Sequence, residues 1–238
     1  MKKSKLLING TKSMIVLILL GAVLYNPLIS RLRQHYMDGY IEYLEDNAGT
    51  ANSGRLDKVE VPDSPLFKVE GENFDEEEAM VSEASIKSIL SSDIGTAKED
   101  PSLKLIGVLE IPSIDTKVPV WEGVSKKALR FGAGRYPLSS GLGEDHGNCF
   151  LMGHRNRHLS TIFCRLQYVK EGASVIVKTK DSKVIEYKVS KTVAVPPDKV
   201  SDYMLDPDDG TSRLTLCTCI TERGKGWRFI AVCTKSEF

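Results

Sequence analysis

Leu214-Thr215-Leu216-Cys217-Thr218-Cys219 alternates β-branched, apolar and small residues and runs into Ile220-Thr221-Glu222-Arg223-Gly224, a turn-forming pentapeptide. The pattern reads as a strand that delivers Cys219 to its end. A cysteine acts as a nucleophile only as the thiolate, so it needs a base or a cation nearby in space. Of the four histidines, His154 follows the apolar run Phe150-Leu151-Met152-Gly153, which is itself of strand character. Both groups therefore fit the rim of one sheet or barrel. Nine residues after Cys219, Arg228 opens the run Arg228-Phe229-Ile230-Ala231-Val232, a second strand that the turn can return beside the first. Chemistry alone leaves rivals open: His158 for His154, and Arg213 or Arg223 for Arg228.

The 238 residues, 41% of them hydrophobic, suffice for one domain with a proper core plus extra segments. Thirty-two basic residues cancel thirty-two acidic ones, so no global field points to nucleic acid as a partner. Five cysteines are an odd number, which leaves at least one unpaired in a monomer; Cys149, Cys164 and Cys233 sit in or beside apolar runs and read as buried free thiols.

At the N-terminus, Lys2, Lys3, Lys5 and Lys12 occupy a basic tail over residues 1–12. The apolar stretch over 13–29 then approaches the roughly 17–25 residues that cross a bilayer, which predicts a single-pass signal anchor with its N-terminus cytoplasmic. The remainder of the chain is expected to face outward from the cell membrane. Over 30–46, Leu32, Tyr36, Tyr40 and Leu44 recur every four residues, the stripe of a helix. Residues 30–100 read as a stalk or linker, with a second helix over 75–90 that opens on Asp75, Glu76, Glu77 and Glu78.

From 101 to 238 the chain changes to short apolar segments at close spacing. Strands are predicted over 105–111, 117–121, 148–153, 174–179, 184–189, 214–219 and 228–232, with short helices over 126–131 and 160–168. Seven or more strands with little helix imply a mainly β fold, a closed or nearly closed barrel. A long connection between Val195 and Ser212 precedes the cysteine strand, as binding loops often do. Its aspartates, Asp198, Asp202, Asp206, Asp208 and Asp209, offer calcium as an alternative reading, although they lack the regular spacing and glutamate of a helix-loop-helix calcium site. A zinc site drawn from Cys217, Cys219, Cys164, Cys233 and His154 is disfavoured because only one ligand pair is closely spaced. No cofactor and no metal are expected.

Thr215-Leu216-Cys217-Thr218-Cys219 resembles the sortase signature Thr-Leu-x-Thr-Cys, Gly153-His154 resembles that family's histidine, and Arg228 ahead of an apolar strand resembles its arginine. The similarity extends upstream through Gly107-Val108-Leu109-Glu110-Ile111-Pro112, Val118-Pro119-Val120-Trp121 and Gly132-Ala133-Gly134-Arg135-Tyr136-Pro137. The resemblance implies a closed eight-stranded β-barrel in which His154, Cys219 and Arg228 are catalytic, Thr218 and Leu216 lie at the substrate, and the loop before the cysteine strand walls a groove. It implies a cysteine transpeptidase of Gram-positive bacteria that cleaves a Leu-Pro-x-Thr-Gly-like signal near the C-terminus of a secreted surface protein. The acyl group would pass through a thioester on Cys219 to an amine of a peptidoglycan precursor. A pilin-polymerising sortase is the alternative within the family, disfavoured because Asp63-Ser64-Pro65-Leu66-Phe67 is a degenerate form of its lid motif and the chain ends at Phe238 without a second span. A non-catalytic surface peptide-binding domain is the alternative outside it.

Overall fold

The computed structural model describes residues 2–62, 102–155, 162–207, 210–220, 222–224 and 226–236, the side chains of 2–23 and 26 excepted. The helix expected over 75–90 and the lid-like motif at 63–67 lie outside the described residues. Ten strands are described. β1 (Val59–Glu60) and β2 (Ser102–Leu103) pair with each other alone. The other eight are β3 (Leu105–Ile111), β4 (Thr116–Glu122), β5 (Ala133–Arg135), β6 (Gly147–Met152), β7 (Ser174–Thr179), β8 (Val184–Val195), β9 (Ser212–Cys219) and β10 (Arg228–Lys235). They close into a barrel in the order β10-β8-β7-β3-β4-β5-β6-β9, as the mainly β, eight-stranded expectation requires. Inward positions at period two, among them Leu109, Val118, Val120, Leu151, Val175, Val177, Leu214, Leu216 and Ala231, fill its interior.

Two departures from the expected strands have local causes. β8 continues past 189 because a bulge at Ser190 absorbs the polar run Ser190-Lys191-Thr192, its hydroxyl donating to Val232 O at 3.0 Å. β5 is a three-residue strand parallel to β4, too short and glycine-flanked to register as a periodic pattern. The helix expected over 126–131 is α2 (Lys126–Arg130), capped by the Ser125 hydroxyl accepting from Ala128 N. The helix expected over 160–168 is not formed where it is described. Ile162 takes a left-handed φ of 58° and bridges back to Arg155, which leaves only a 3-10 turn at Leu166–Tyr168.

α1 runs over Lys2–Asn47 and includes Pro27. No helix among the described residues is long and apolar enough to cross a membrane, and the anchor expected over 13–29 falls largely on side chains outside the description. The part expected to be a stalk is instead packed against the barrel wherever it is described. Ile29, Arg33, Met37, Ile41 and Leu44 turn inward, so the buried stripe differs from the predicted one at its start, where Leu32 faces out and the charged Arg33 faces in. Tyr40 meets the edges of Trp121 and Phe131, with ring centroids 5.1 and 6.1 Å apart, over the outer face of β3 and β4. Glu45 closes the seam between Lys178 at 3.0 Å and Lys117 at 3.4 Å. Beyond the helix, Gly49 adopts a φ of 65° and donates its N–H to Lys180 O; a Cβ there would lie 2.5 Å from the Ser182 hydroxyl.

Because Leu44 is 1% exposed in this seam, Leu44→Ala is expected to lower stability by about 2–5 kcal/mol. Urea unfolding followed by tryptophan fluorescence measures it; unchanged stability would mean that α1 does not dock in solution.

Candidate active site

β6, β9 and β10 lie side by side with β9 in the middle. β6 and β9 run parallel in a register that pairs Met152 with Cys217, so two residues further on His154 and Cys219 emerge level with each other. Two bonds extend that pairing past the end of β6: Gly153 N donates to Cys217 O at 3.1 Å, and the Thr218 hydroxyl donates to Gly153 O at 2.7 Å. On the other side, the antiparallel register places Arg228 directly opposite Cys219. With neighbouring strands about 5 Å apart, the backbones of His154 and Arg228 flank that of Cys219 at one rim. Gly153 is required here for space, since a Cβ would sit 2.5 Å from the Phe163 ring.

Cys219, Cys217 and Arg228 share the outer face of the sheet by alternation. Arg228 is 4% exposed and its Nη1 donates to Gly226 O at 2.7 Å and Trp227 O at 3.3 Å, which holds the guanidinium at the mouth of the β9–β10 turn. The rivals stand elsewhere. Arg213 lies at the opposite end of β9, about 20 Å along the strand. Arg223 stacks on Trp227 at 5.7 Å, His146 contacts Gly210 O with its Nδ1 at the far end of β6, and His35 belongs to α1. His158 lies outside the described residues.

Two residues expected at the substrate are placed differently. Leu216 is fully buried in the barrel interior, and Thr218 is 2% exposed with its hydroxyl committed to Gly153. Neither offers surface to a ligand; both hold the cysteine strand in place.

Below the rim, the outer face of β6, β8, β9 and β10 carries Phe150, Met152, Val193, Val195, Cys217, Ile230 and Val232. The β8–β9 connection lays Val200, Tyr203 and Met204 over one side of this patch, and Tyr136 adds to it, so the floor is apolar and incompletely covered. Asn148 pins that wall. Its Nδ2 donates to Tyr203 O at 2.8 Å and Leu205 O at 3.2 Å, while its Oδ1 accepts from the Thr215 hydroxyl at 2.8 Å. Asp206 Oδ1 in turn accepts from Asn148 N and the Ser140 hydroxyl. A lone amide in the run Asn148-Cys149-Phe150-Leu151-Met152 was the available sequence signal for this hub.

Of the described aspartates of the connection, Asp206 accepts from these two donors and Asp202 lies 3.9 Å from Lys199. No group of three metal-ligating side chains occurs among the described residues. Cys233 points into the barrel and Cys217 away from it, which separates the ligands of the zinc alternative.

None of the five cysteines is in a disulfide, and burial sorts them. Desolvation pushes the thiols of Cys149, Cys217 and Cys233 up to about 12; at Cys217 the Arg228 charge works against this without overcoming it. Those three stay protonated near neutral pH, whereas Cys219 and Cys164 are partly exposed. A thiol-directed alkylating reagent at pH 7–8 is therefore expected to modify Cys219 and to spare Cys149, Cys217 and Cys233, as peptide mass mapping would read; modification of Cys217 before Cys219 would reject this ordering.

Comparison with known proteins gives a consistent picture. The Sortase domain family model matches residues 109–236. Sortase A of Streptococcus agalactiae serotype III is 30% identical over 141 residues, which cover 57% of this chain and 56% of that protein. Sortase A of Listeria monocytogenes is 25% identical over 226 residues, 95% of this chain and 90% of the relative. Among solved structures, Listeria monocytogenes sortase A is 28% identical with a TM-score of 0.50 over 56% of this chain and 88% of that one. The pilus-related sortase C of Group B Streptococcus is 25% identical with a TM-score of 0.52, over 62% of this chain and 76% of that one. The match spans little more than half the length of some relatives, 56% for the streptococcal protein and 58% for sortase A of Bacillus anthracis. With the family model covering 128 of 238 residues and the barrel in place, the chain belongs to the sortase family.

Proposed function

We propose that this protein is a membrane-anchored cysteine transpeptidase that cleaves a C-terminal sorting signal of the Leu-Pro-x-Thr-Gly kind and transfers the acyl group to a cell-wall amine. The observation that carries this reading is the level placement of His154, Cys219 and Arg228 on three adjacent strands, at the end of an apolar, partly covered floor. The Cys219 thiolate attacks the threonine carbonyl and forms a tetrahedral oxyanion. His154 protonates the departing glycine amine as the C–N bond breaks, leaving a thioester. It then takes a proton from the incoming amine, whose attack on the thioester forms the new amide as the C–S bond breaks and releases the Cys219 thiolate. Arg228 stays charged throughout and donates to the substrate backbone or the developing oxyanion. Cys217, two residues back on the same face, is too deeply desolvated to compete.

The N-terminal anchor, outward orientation and cell-membrane location are part of this proposal. They are supported by the apolar stretch over 13–29 behind a lysine tail. Anchoring to a peptidoglycan precursor is preferred over pilin polymerisation because Asp63-Ser64-Pro65-Leu66-Phe67 does not form the contiguous lid motif.

The test is to incubate the full chain in detergent with Leu-Pro-x-Thr-Gly peptides and a panel of amines that includes pilin-type lysines. Intact-protein mass spectrometry is expected to find a thioester on Cys219, lost in Cys219→Ala and discharged by the preferred amine. His154→Ala is expected to slow transfer by about 10²–10⁴-fold and Arg228→Ala by about 10²–10³-fold. Peptides that bind wild type and Cys219→Ala equally, with no adduct in either, would point to a binding domain instead.

A further inference from the structure

The two segments that leave the reacting strands are joined by a charge pair that the proposed chemistry does not use. Arg155 follows His154 directly, and Glu222 lies three residues beyond Cys219. Arg155 Nη1 donates to Glu222 Oε2 at 2.8 Å and Nη2 donates to Oε1 at 2.7 Å, a two-pronged fork. The Arg155 side chain is 5% exposed and that of Glu222 48% exposed, so the arginine is fixed and the glutamate reaches in from the loop.

The backbone beneath Arg155 is also fixed. Arg155 bridges to Ile162, and His154 O accepts from Phe163 N at 3.2 Å. The ends of the β9–β10 turn close through Ile220 N to Trp227 O at 3.0 Å, and both Gly224 and Gly226 take positive φ angles. The fork thus ties the turn after Cys219 to the segment that carries the histidine. Glu222 holds the Arg155 guanidinium firmly in its charged form.

Resting on the transpeptidase reading, we propose that Arg155 and Glu222 form a latch that holds the turn after Cys219 against the segment carrying His154, and so act as positioning residues for acyl transfer. Arg155 cannot itself be the proton donor, because a guanidinium does not give up its proton at working pH. The latch acts on the relative placement of His154 and Cys219, on which proton transfer depends steeply. The apolar floor that would receive the peptide lies on Phe150, Met152, Val193, Ile230 and Val232, away from the fork. Breaking the fork therefore affects the chemical step and spares peptide binding.

The experiment uses the full chain in detergent with one Leu-Pro-x-Thr-Gly peptide and one accepted amine. Glu222→Gln, at a half-exposed position, is expected to lower kcat about 10-fold or more with KM changed less than about twofold and melting temperature unchanged. Arg155→Lys, which supplies a point charge without the fork, is expected to lose kcat similarly. The exchanged pair Arg155→Glu with Glu222→Arg is expected to regain most of what either single substitution loses. Wild-type kcat in Glu222→Gln, a loss confined to KM, or an exchanged pair no better than the single variants would overturn the latch. A wild-type protein that forms no thioester would overturn the transpeptidase reading, and the latch with it, so the two failures are told apart.

Discussion

The parallel pairing of β6 with β9 is the constraint on which the site depends. No hairpin links these strands, so nothing in the local chain fixes their register. It is fixed by side chains on both faces. Leu151, Leu214 and Leu216 fill the barrel interior, while outside it the Asn148 amide accepts from the Thr215 hydroxyl at 2.8 Å. A slip of one residue would turn Leu216 outward and Cys219 into the core, at the cost of every apolar contact on the strand. The same register that satisfies the core therefore delivers histidine and cysteine to one rim, and the turn to β10 brings arginine to the third place.

The outer face of the barrel is covered twice, by different means. α1 covers β3 and β4 with a dry aromatic seam of Tyr36, Tyr40, Trp121 and Phe131, closed by Glu45 between two lysines. The β8–β9 connection covers part of β6, β9 and β10 but is held through the polar groups of Asn148, Asp206 and Ser140. The first covering leaves Leu44, Leu56 and Trp121 essentially inaccessible; the second leaves Tyr136, Met152, Met204 and Val232 half-buried. An apolar surface that the fold itself does not finish covering gains from a ligand that completes the burial. The polar groups of Asn148, Asp206 and Ser140 keep the wall in place.

Desolvation separates cysteines that composition treats alike. Cys217 and Cys219 are two residues apart on the same face of the same strand, yet one lies under Phe150, Val195, Val200 and Ile230 and the other at the open rim. The buried thiol is held protonated and serves as packing. Position along the strand, a matter of about 7 Å, decides which sulfur is available for chemistry.

Much of the barrel was legible because its strands carry period-two patterns strong enough to stand alone: the run 105–111 coincides with β3 and 174–179 with β7. What escaped were elements whose reasons are not local. β5 is three residues long and exists because β4 and β6 lie on either side of it, and β8 continues through polar residues because β10 accommodates a bulge. The stripe of α1 was displaced at its start because Arg33, a residue that reads as solvent-facing, is buried. For the site, the residue types singled out Cys219 but left His158, Arg213 and Arg223 as rivals, and the resemblance to sortases selected His154 and Arg228. The convergence of His154, Cys219 and Arg228, the withdrawal of Leu216 and Thr218 from the surface, and the contacts of Asn148, Arg155 and Glu222 required the fold. The sequence by itself determined the strand periodicities, the barrel class and the place of Cys219 at a strand end, because these follow from side-chain alternation and turn chemistry. Only the tertiary structure decided which arginine stands opposite the cysteine and which thiols are desolvated. Those depend on cross-strand register and burial, which arise between segments distant in the chain.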